Sequence, residues 1–472
     1  MILNNLTIKK AHESLKNGEF TVLDLVNAYK KNIEEKNKDI NAFIEVFEDV
    51  EEQAKIAQEK FTNGTATLMT GIPVAIKDNI LIKDKIASSA SKILENYRAT
   101  YSATAIEKLQ KEGAIFIGRT NMDEFAMGAS TENSVYGVTK NPHDLTRVAG
   151  GTSGGSTAAV AMDGALVALG SDTGGSVRQP AGFCGVVGLK PTYGAVSRYG
   201  LMAMASSFDV IGPIGKTVED TEIIFNSIKG IEPLDSTTVE GFDNSSVSKI
   251  GVPFSYLENG VDDDVKSNFI ESINKLKDAG YEIVDIELPH IEYSIPVYYV
   301  LVPAEVSSNM ARYDGVKYGS KVEGKDLTED YFNTRGRLLG PEVRRRIIIG
   351  TFALSAGYAD QYYYKAWQVR NLLKQDMKNA FEKVDVIALP TSPNPAFKIG
   401  ERVDDPLKMY LADIFTSIAN LTGVPAISIP SGFAKREEKD LPLAIEFFAP
   451  HLKENRLFEI GKKFEAIRDD GK

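Results

Sequence analysis

The chain holds little cysteine, histidine or tryptophan: one Cys, four His and one Trp in 472 residues. The lone thiol, Cys184, excludes an internal disulfide framework and a cysteine-rich metal site. It fits a reducing compartment. No run of eighteen apolar residues occurs, so no membrane contact through a spanning helix is expected. Residues 1–18 carry lysines but no apolar core of signal-peptide length. A cytoplasmic home follows as the expectation. No Gly-Lys-Ser/Thr closes a glycine-rich turn, which excludes a Walker-type phosphate loop. Positive charge is in deficit, with 54 Lys and Arg against 65 Asp and Glu, a net charge of −11. Such a chain grips phosphate backbones poorly by itself, although a partner can hold a nucleic acid for it.

What is present is an ordinary globular composition, 43% hydrophobic and 25% charged, in a chain long enough for a substantial core. Residues 7–60 read as helices, with a capping-box pattern at Thr21 and Asp24. Residues 71–80 and 114–118 read as strands around a helix at 102–113. Residues 185–190 read as a buried strand, and 207–213 as a turn. Residues 249–253, 262–277 and 281–288 read strand–helix–strand. Residues 291–382 are mostly helical, 384–390 and 424–430 are buried strands, and 435–440 is a charged loop. No linker forces a cut and no repeat stands out. The expectation is α/β: one large domain over 1–472 with a mixed, mostly parallel central sheet and helices on both faces. Within it lie a helical region 1–62, a core 71–220 and a remainder 221–472.

The chemistry concentrates in residues 149–180, where two glycine pairs each carry small hydroxyl residues around an apolar run. Glycine lets backbone approach a ligand, and consecutive N–H groups at such turns form anion pockets. Residues 154–162 read as a short helix capped by Thr152 or Ser153. Upstream, Lys77 ends five apolar residues. A lysine there is often a snorkelling edge residue, and otherwise a base whose pKa falls on burial. Gly151-Thr-Ser153-Gly-Gly155 also matches the nucleophile-elbow pattern, but that needs a downstream histidine, and His290 and His451 lie in uninformative contexts.

A lysine base needs no histidine. Gly-Ile-Pro-Val-Ala-Ile-Lys77-Asp-Asn, Gly150-Gly-Thr-Ser-Gly-Gly-Ser156, Gly170-Ser-Asp-Thr-Gly-Gly-Ser176-Val-Arg-Gln-Pro and Gly188-Leu-Lys-Pro-Thr-Tyr-Gly together resemble the amidase signature family. The resemblance implies amide cleavage by a Ser–Ser–Lys triad. Ser176 would be the nucleophile and Lys77 the base. The N–H groups of Thr173, Gly174, Gly175 and Ser176 would form the oxyanion hole. At the middle serine's position stands Thr152. A threonine hydroxyl can shuttle a proton too, though its χ1 is stiffer. Ser153 could replace it only if the loop shifted register.

Further stretches, Asn121-Met-Asp-Glu-Phe-Ala-Met-Gly128, Arg344-Arg-Arg-Ile-Ile-Ile-Gly350 and Asp405-Pro-Leu-Lys-Met-Tyr-Leu-Ala-Asp413, are similar to the family's glutaminase branch. That similarity implies glutamine as substrate, held by Tyr298, Arg346 and Asp413. Arginine can fork onto the α-carboxylate and aspartate can take the α-ammonium. It further implies no metal or cofactor in this chain. ATP and Mg²⁺ would sit on a partner, the B subunit, and a small third chain, the C subunit, would complete a heterotrimer. The ammonia would serve transamidation of Glu-tRNA(Gln), with Asp-tRNA(Asn) as the alternative acceptor, the tRNA being held through the partner. Two rival expectations are a stand-alone amidase acting on small amides and a catalytically inactive scaffold.

Overall fold

Short Val- and Ile-rich runs, punctuated by glycine and proline, form the strands of the chain. A computed structural model describes residues 3, 5–242, 245–258 and 260–469, so both ends of the expected 1–472 domain lie outside the described residues. The strands are β1 (Phe43–Val46), β2 (Pro73–Lys77), β3 (Ile115–Thr120), β4 (Lys140–Asn141), β5 (Asp144–Val148), β6 (Val167–Asp172) and β7 (Val187–Lys190). They continue with β8 (Val210–Gly215), β9 (Lys249–Val252), β10 (Glu282–Asp285), β11 (Val386–Pro390), β12 (Ala426–Arg436) and β13 (Lys439–Phe448). Eleven of them form one sheet in the order β1-β3-β2-β6-β8-β7-β12-β13-β11-β9-β10, while β4 and β5 pair separately. Every residue of β2, β6 and β8 is buried. That explains why these strands read as unbroken apolar runs and not as alternation.

The sheet is mixed and flanked by helices, within a single α/β domain. Parallel pairing holds in two wings, β3-β2-β6 and β11-β9-β10. Between them β6, β8, β7, β12, β13 and β11 pair antiparallel, as does β1 at the edge. Parallel pairing is therefore less general than the sequence reading expects. One of these antiparallel pairs is a hairpin: the 435–440 stretch is the tip joining β12 and β13, with Glu437 at φ 55°. Two further strands differ from expectation. β1 interrupts the expected helical region, and β8 occupies the end of the expected turn at 207–213.

The helices follow their signals closely. Val22–Ile40 opens on a complete Thr21–Asp24 capping box. The stretch 291–382 holds the helices Ser294–Asn309, Leu327–Leu338, Pro341–Leu354 and Tyr363–Phe381. One apolar cluster of buried residues runs from Leu3 to Phe464. Among the described residues no helix is long and apolar enough to cross a membrane.

For the site, the decisive feature is that β2 and β6 are parallel neighbours, with Ile76 opposite Leu169. Their C-terminal ends, Lys77 and Asp172, therefore open on the same edge of the sheet. Ligand sites in α/β sheets gather at such edges.

Candidate active site

Lys77 ends β2 fully buried. Its Nζ lies 2.7 Å from Thr152 Oγ1, 2.8 Å from Ser153 Oγ, 2.9 Å from Ser171 Oγ and 3.2 Å from the Ser171 carbonyl. Burial pulls the amine down to about 7, against the opposing fields of Asp123, Asp172 and Asp209. Half the amine is then neutral near pH 7 and can accept a proton.

The two hydroxyls beside it are not equivalent. Ser153 Oγ donates to the Ser171 carbonyl at 3.1 Å. Thr152 Oγ1 has no bond among the described residues except that to Lys77. Its proton is free to move toward the amine or to be replaced from another hydroxyl. The Gly151–Thr152 peptide is cis. A β-carbon at Gly151 would collide with Asp123 Oδ2, so that approach needs glycine. The helix Gly154–Ala161 begins here as expected, but neither hydroxyl caps it. Ser153 stands at the cap position without a side-chain cap bond, because its oxygen faces Lys77 and Ser171 instead.

The second turn, 173–176, follows β6. It is anchored by Asp172, whose carboxylate accepts from Arg178 Nε and Nη2, both at 3.0 Å. Burial alone would raise that carboxyl; the Arg178 guanidinium overrides it and holds the group at about 2. Arg178 also reaches Glu446, the Thr416 carbonyl and Asn420, so the turn is tied to β13 and to the helix Ser417–Thr422. Asp172 Oδ1 further accepts the Gly175 N–H at 2.9 Å. Of the four N–H groups expected to form the oxyanion hole, that of Gly175 is thus engaged by a carboxylate, while those of Thr173, Gly174 and Ser176 carry no such bond among the described residues. Thr173 Oγ1 donates to Asp209 Oδ1 at 2.7 Å and steadies the turn.

Ser176 is 8% exposed, where Lys77 and Thr152 are at 0%. Its carbonyl accepts the Ser153 N–H at 3.0 Å, which clamps the two turns together. The Ser176 hydroxyl makes no hydrogen bond among the described residues. The Lys77–Thr152 hydrogen bond is thus formed, and none joins Thr152 to Ser176 among the described residues.

Two of the three expected substrate contacts, Tyr298 and Asp413, lie against the same turn. The Tyr298 phenol packs on Gly174, where a β-carbon would stand 2.6 Å from its ring and oxygen. Asp413 lies beside Gly175, with Oδ1 buried and without a partner. Burial, reinforced by the nearby Asp172 charge, raises its carboxyl well above the usual range. Arg346 is buried, its Nε donating to Glu342 at 2.8 Å, and its guanidinium lies over the rings of Tyr299 and Tyr410. Neither Nη group has an acceptor among the described residues. The Asp413 Oδ1 atom and the Arg346 Nη groups are thus polar atoms left without a protein partner among the described residues, although Glu342 pairs with Arg346 through Nε.

Several participants escape sequence reasoning. Asn79 donates to Ser171 Oγ at 2.9 Å, and both support Lys77. Asn79 lies two residues beyond Lys77, in the turn that follows β2. Glu342 lies four before Arg346 on the helix Pro341–Leu354, a recognisable ion-pair spacing. Asp123, held by the N–H groups of Thr131 and Asn133, supports the first turn with no local signal of its own. The histidines lie outside this network: His290 pairs with Asp376, and His451 with the Thr422 carbonyl.

The amidase family matches residues 24–458. A relative from Thermoanaerobacter pseudethanolicus, named as the A subunit of glutamyl-tRNA(Gln) amidotransferase, is 50% identical, covering 98% of this chain and 97% of that protein. The structure of a protein of the same name from Thermotoga maritima superposes with TM-score 0.82 at 41% identity, covering 98% of this chain and 95% of that one. A peptide amidase from Stenotrophomonas maltophilia superposes with the same TM-score, 0.82, at 25% identity, over 98% and 96% of the two chains.

Proposed function

The chain belongs to the amidase family, and from that premise we propose that it is the glutamine-hydrolysing subunit of a tRNA-dependent amidotransferase. Its near full-length identity to relatives of that name supports the reading. The single observation that carries the chemistry is a buried amine near pH 7 bonded to a hydroxyl whose own proton is uncommitted.

On this reading glutamine enters with its α-carboxylate on the Nη groups of Arg346 and its α-ammonium on Asp413. The Tyr298 phenol packs beside it. Zwitterion contacts of this kind disfavour amides that lack them, because the buried charges are then left unpaired. The side-chain amide comes to rest over Ser176. Thr152 takes the Ser176 proton while passing its own to Lys77, and Ser176 Oγ bonds to the amide carbon. The oxyanion is met by the N–H groups of Thr173, Gly174 and Ser176, each such donor being worth roughly 3–4 kcal/mol. Lys77 returns the proton through Thr152 to the leaving nitrogen. The C–N bond breaks, ammonia leaves, and a γ-glutamyl ester remains on Ser176. Water, deprotonated by the same pair, cleaves the ester to glutamate.

Ammonia then passes to a partner, the B subunit, which carries ATP and Mg²⁺ and activates Glu-tRNA(Gln) or Asp-tRNA(Asn). A small C subunit completes the complex in the cytoplasm. The test is ammonia release from glutamine by this chain, alone and with candidate partners plus Glu-tRNA. Ser176→Ala should abolish the release. No release by the chain alone, with release by the complex unchanged in Ser176→Ala, would return the chain to a scaffold role. Brisk cleavage of simple amides, indifferent to Arg346→Ala, would mark a stand-alone amidase.

A further inference from the structure

A second cavity, of about 760 Å³, lies between the helix Tyr363–Phe381 and the turn at 422–424. Arg370, Lys374 and Lys378 line it from successive turns of one helix face. His451 closes it, with Nε2 held by the Thr422 carbonyl at 3.1 Å.

Arg370 is only 6% exposed. Its Nε donates to the Leu421 carbonyl at 2.7 Å, and its guanidinium sits 4.4 Å from the Phe208 ring and 4.6 Å from Trp367. Ring stacking on this scale locks the fork in orientation. Neither Nη group has an acceptor among the described residues. The Lys374 and Lys378 amines likewise have no hydrogen bond or ion pair among them. Burial and the Arg370 charge lower the Lys374 amine. The opposing carboxylates are Glu382, on the cavity wall, and Glu305, which accepts the Ser207 N–H at 3.0 Å. Neither forms an ion pair with any of the three cations.

A buried fork with idle donors is costly, and convergent cations add repulsion. An anion relieves both. The planar fork suits a carboxylate or a phosphate bidentately, and two flanking ammonium groups favour the higher charge of a phosphate. Met377, Phe381, Val424 and Pro450 supply apolar wall. The volume falls in the range of small-ligand sites, about 300–1,000 Å³.

We propose that this cavity binds a phosphate group, free or carried by a nucleotide, through Arg370, Lys374 and Lys378. The site does not depend on the glutaminase reading. It is nonetheless mechanically close to the candidate active site. Thr422 lines the cavity at one end of the helix Ser417–Thr422, and Asn420 on the same helix donates to Asp172 Oδ1 at 3.0 Å.

The test is calorimetric titration of the full chain with inorganic phosphate and, separately, with ADP, at constant ionic strength so that general screening is held fixed. Saturable binding of at least one is expected. Lys374→Glu and Lys378→Glu, both on the exposed side of the helix, should each weaken it at least tenfold. Tighter ADP binding assigns a nucleotide, and equal affinities assign free phosphate. No saturable binding of either at millimolar concentration overturns the proposal. So does binding that both lysine variants leave unchanged. Arg370→Gln, if it folds, should remove binding altogether.

Discussion

At the scale of single residues, the account turns on Thr152 standing where the amidase triad has serine. Its hydroxyl is 2.7 Å from Lys77 Nζ, and its proton has no competing acceptor among the described residues. Ser153 is as near, but its proton is engaged by Ser171. Thr152→Ser should therefore keep glutaminase activity, and Thr152→Ala should lower kcat at least about a hundredfold. Steady-state ammonia release measures both, and a fully active Thr152→Ala protein would remove this residue from the proton path. The amine sets the pH profile. Lys77 is charged below about 7 and neutral above it. Only the neutral form is a base, so kcat/KM for glutamine should climb through neutral pH and level off on the alkaline side. A profile flat across that window would mean that Lys77 is not the base. At the substrate end, Asp413→Asn should raise KM for glutamine at least about tenfold by removing the counter-charge to the α-ammonium. The same change should leave a simple amide without that ammonium nearly unaffected.

At the scale of elements, the second turn is held from beneath by a buried ion network, Asp172–Arg178–Glu446. Asp172 carries Arg178 and the Gly175 N–H, and Arg178 in turn carries β13 and the helix Ser417–Thr422. Removing Asp172 leaves Arg178 with Glu446 alone and strips the Gly175 N–H of its acceptor, a loss of about 3 kcal/mol for breaking a buried, hydrogen-bonded charge contact. Asp172→Ala should lower the urea midpoint accordingly and also slow hydrolysis, since Gly175 loses its acceptor. An unchanged midpoint would show that the turn is held elsewhere. This element also marks where legibility ends. Lys77 and Ser176 can be read from the chain because each is carried by a contiguous strand-and-turn motif. The engagement of the Gly175 N–H by a carboxylate cannot be read, because it depends on how the Asp172 side chain folds back over the turn. β8 shows the same limit. Its Val-Ile-Gly-Pro-Ile-Gly sequence carries the usual strand breakers. Yet a β-carbon at Gly212 would collide with the Leu189 carbonyl, so the glycine is there to let β7 come close. The parallel wings follow from strand–helix–strand patterning, whereas the β12–β13 pair in the antiparallel middle is a hairpin whose charged tip resembles an ordinary loop.

At the scale of the whole molecule, charge and architecture divide the labour. A net charge of −11 gives little general attraction for RNA. The chain alone should retain no tRNA in filter binding at physiological salt, and retention should appear only with the partner subunit. Tight binding by the isolated chain would place the nucleic acid here instead. The sheet brings Lys77 and Ser176 to one edge from strands far apart in sequence, and the two turns are stitched by the Ser153–Ser176 backbone bond. The most direct test of that convergence is intact-protein mass spectrometry of enzyme acid-quenched during glutamine turnover, followed by peptide mapping. The account predicts a glutamyl ester on the peptide holding Ser176, absent in Ser176→Ala and strongly reduced in Thr152→Ala. A glutamyl adduct on any other residue, or steady ammonia release from Ser176→Ala, would contradict it.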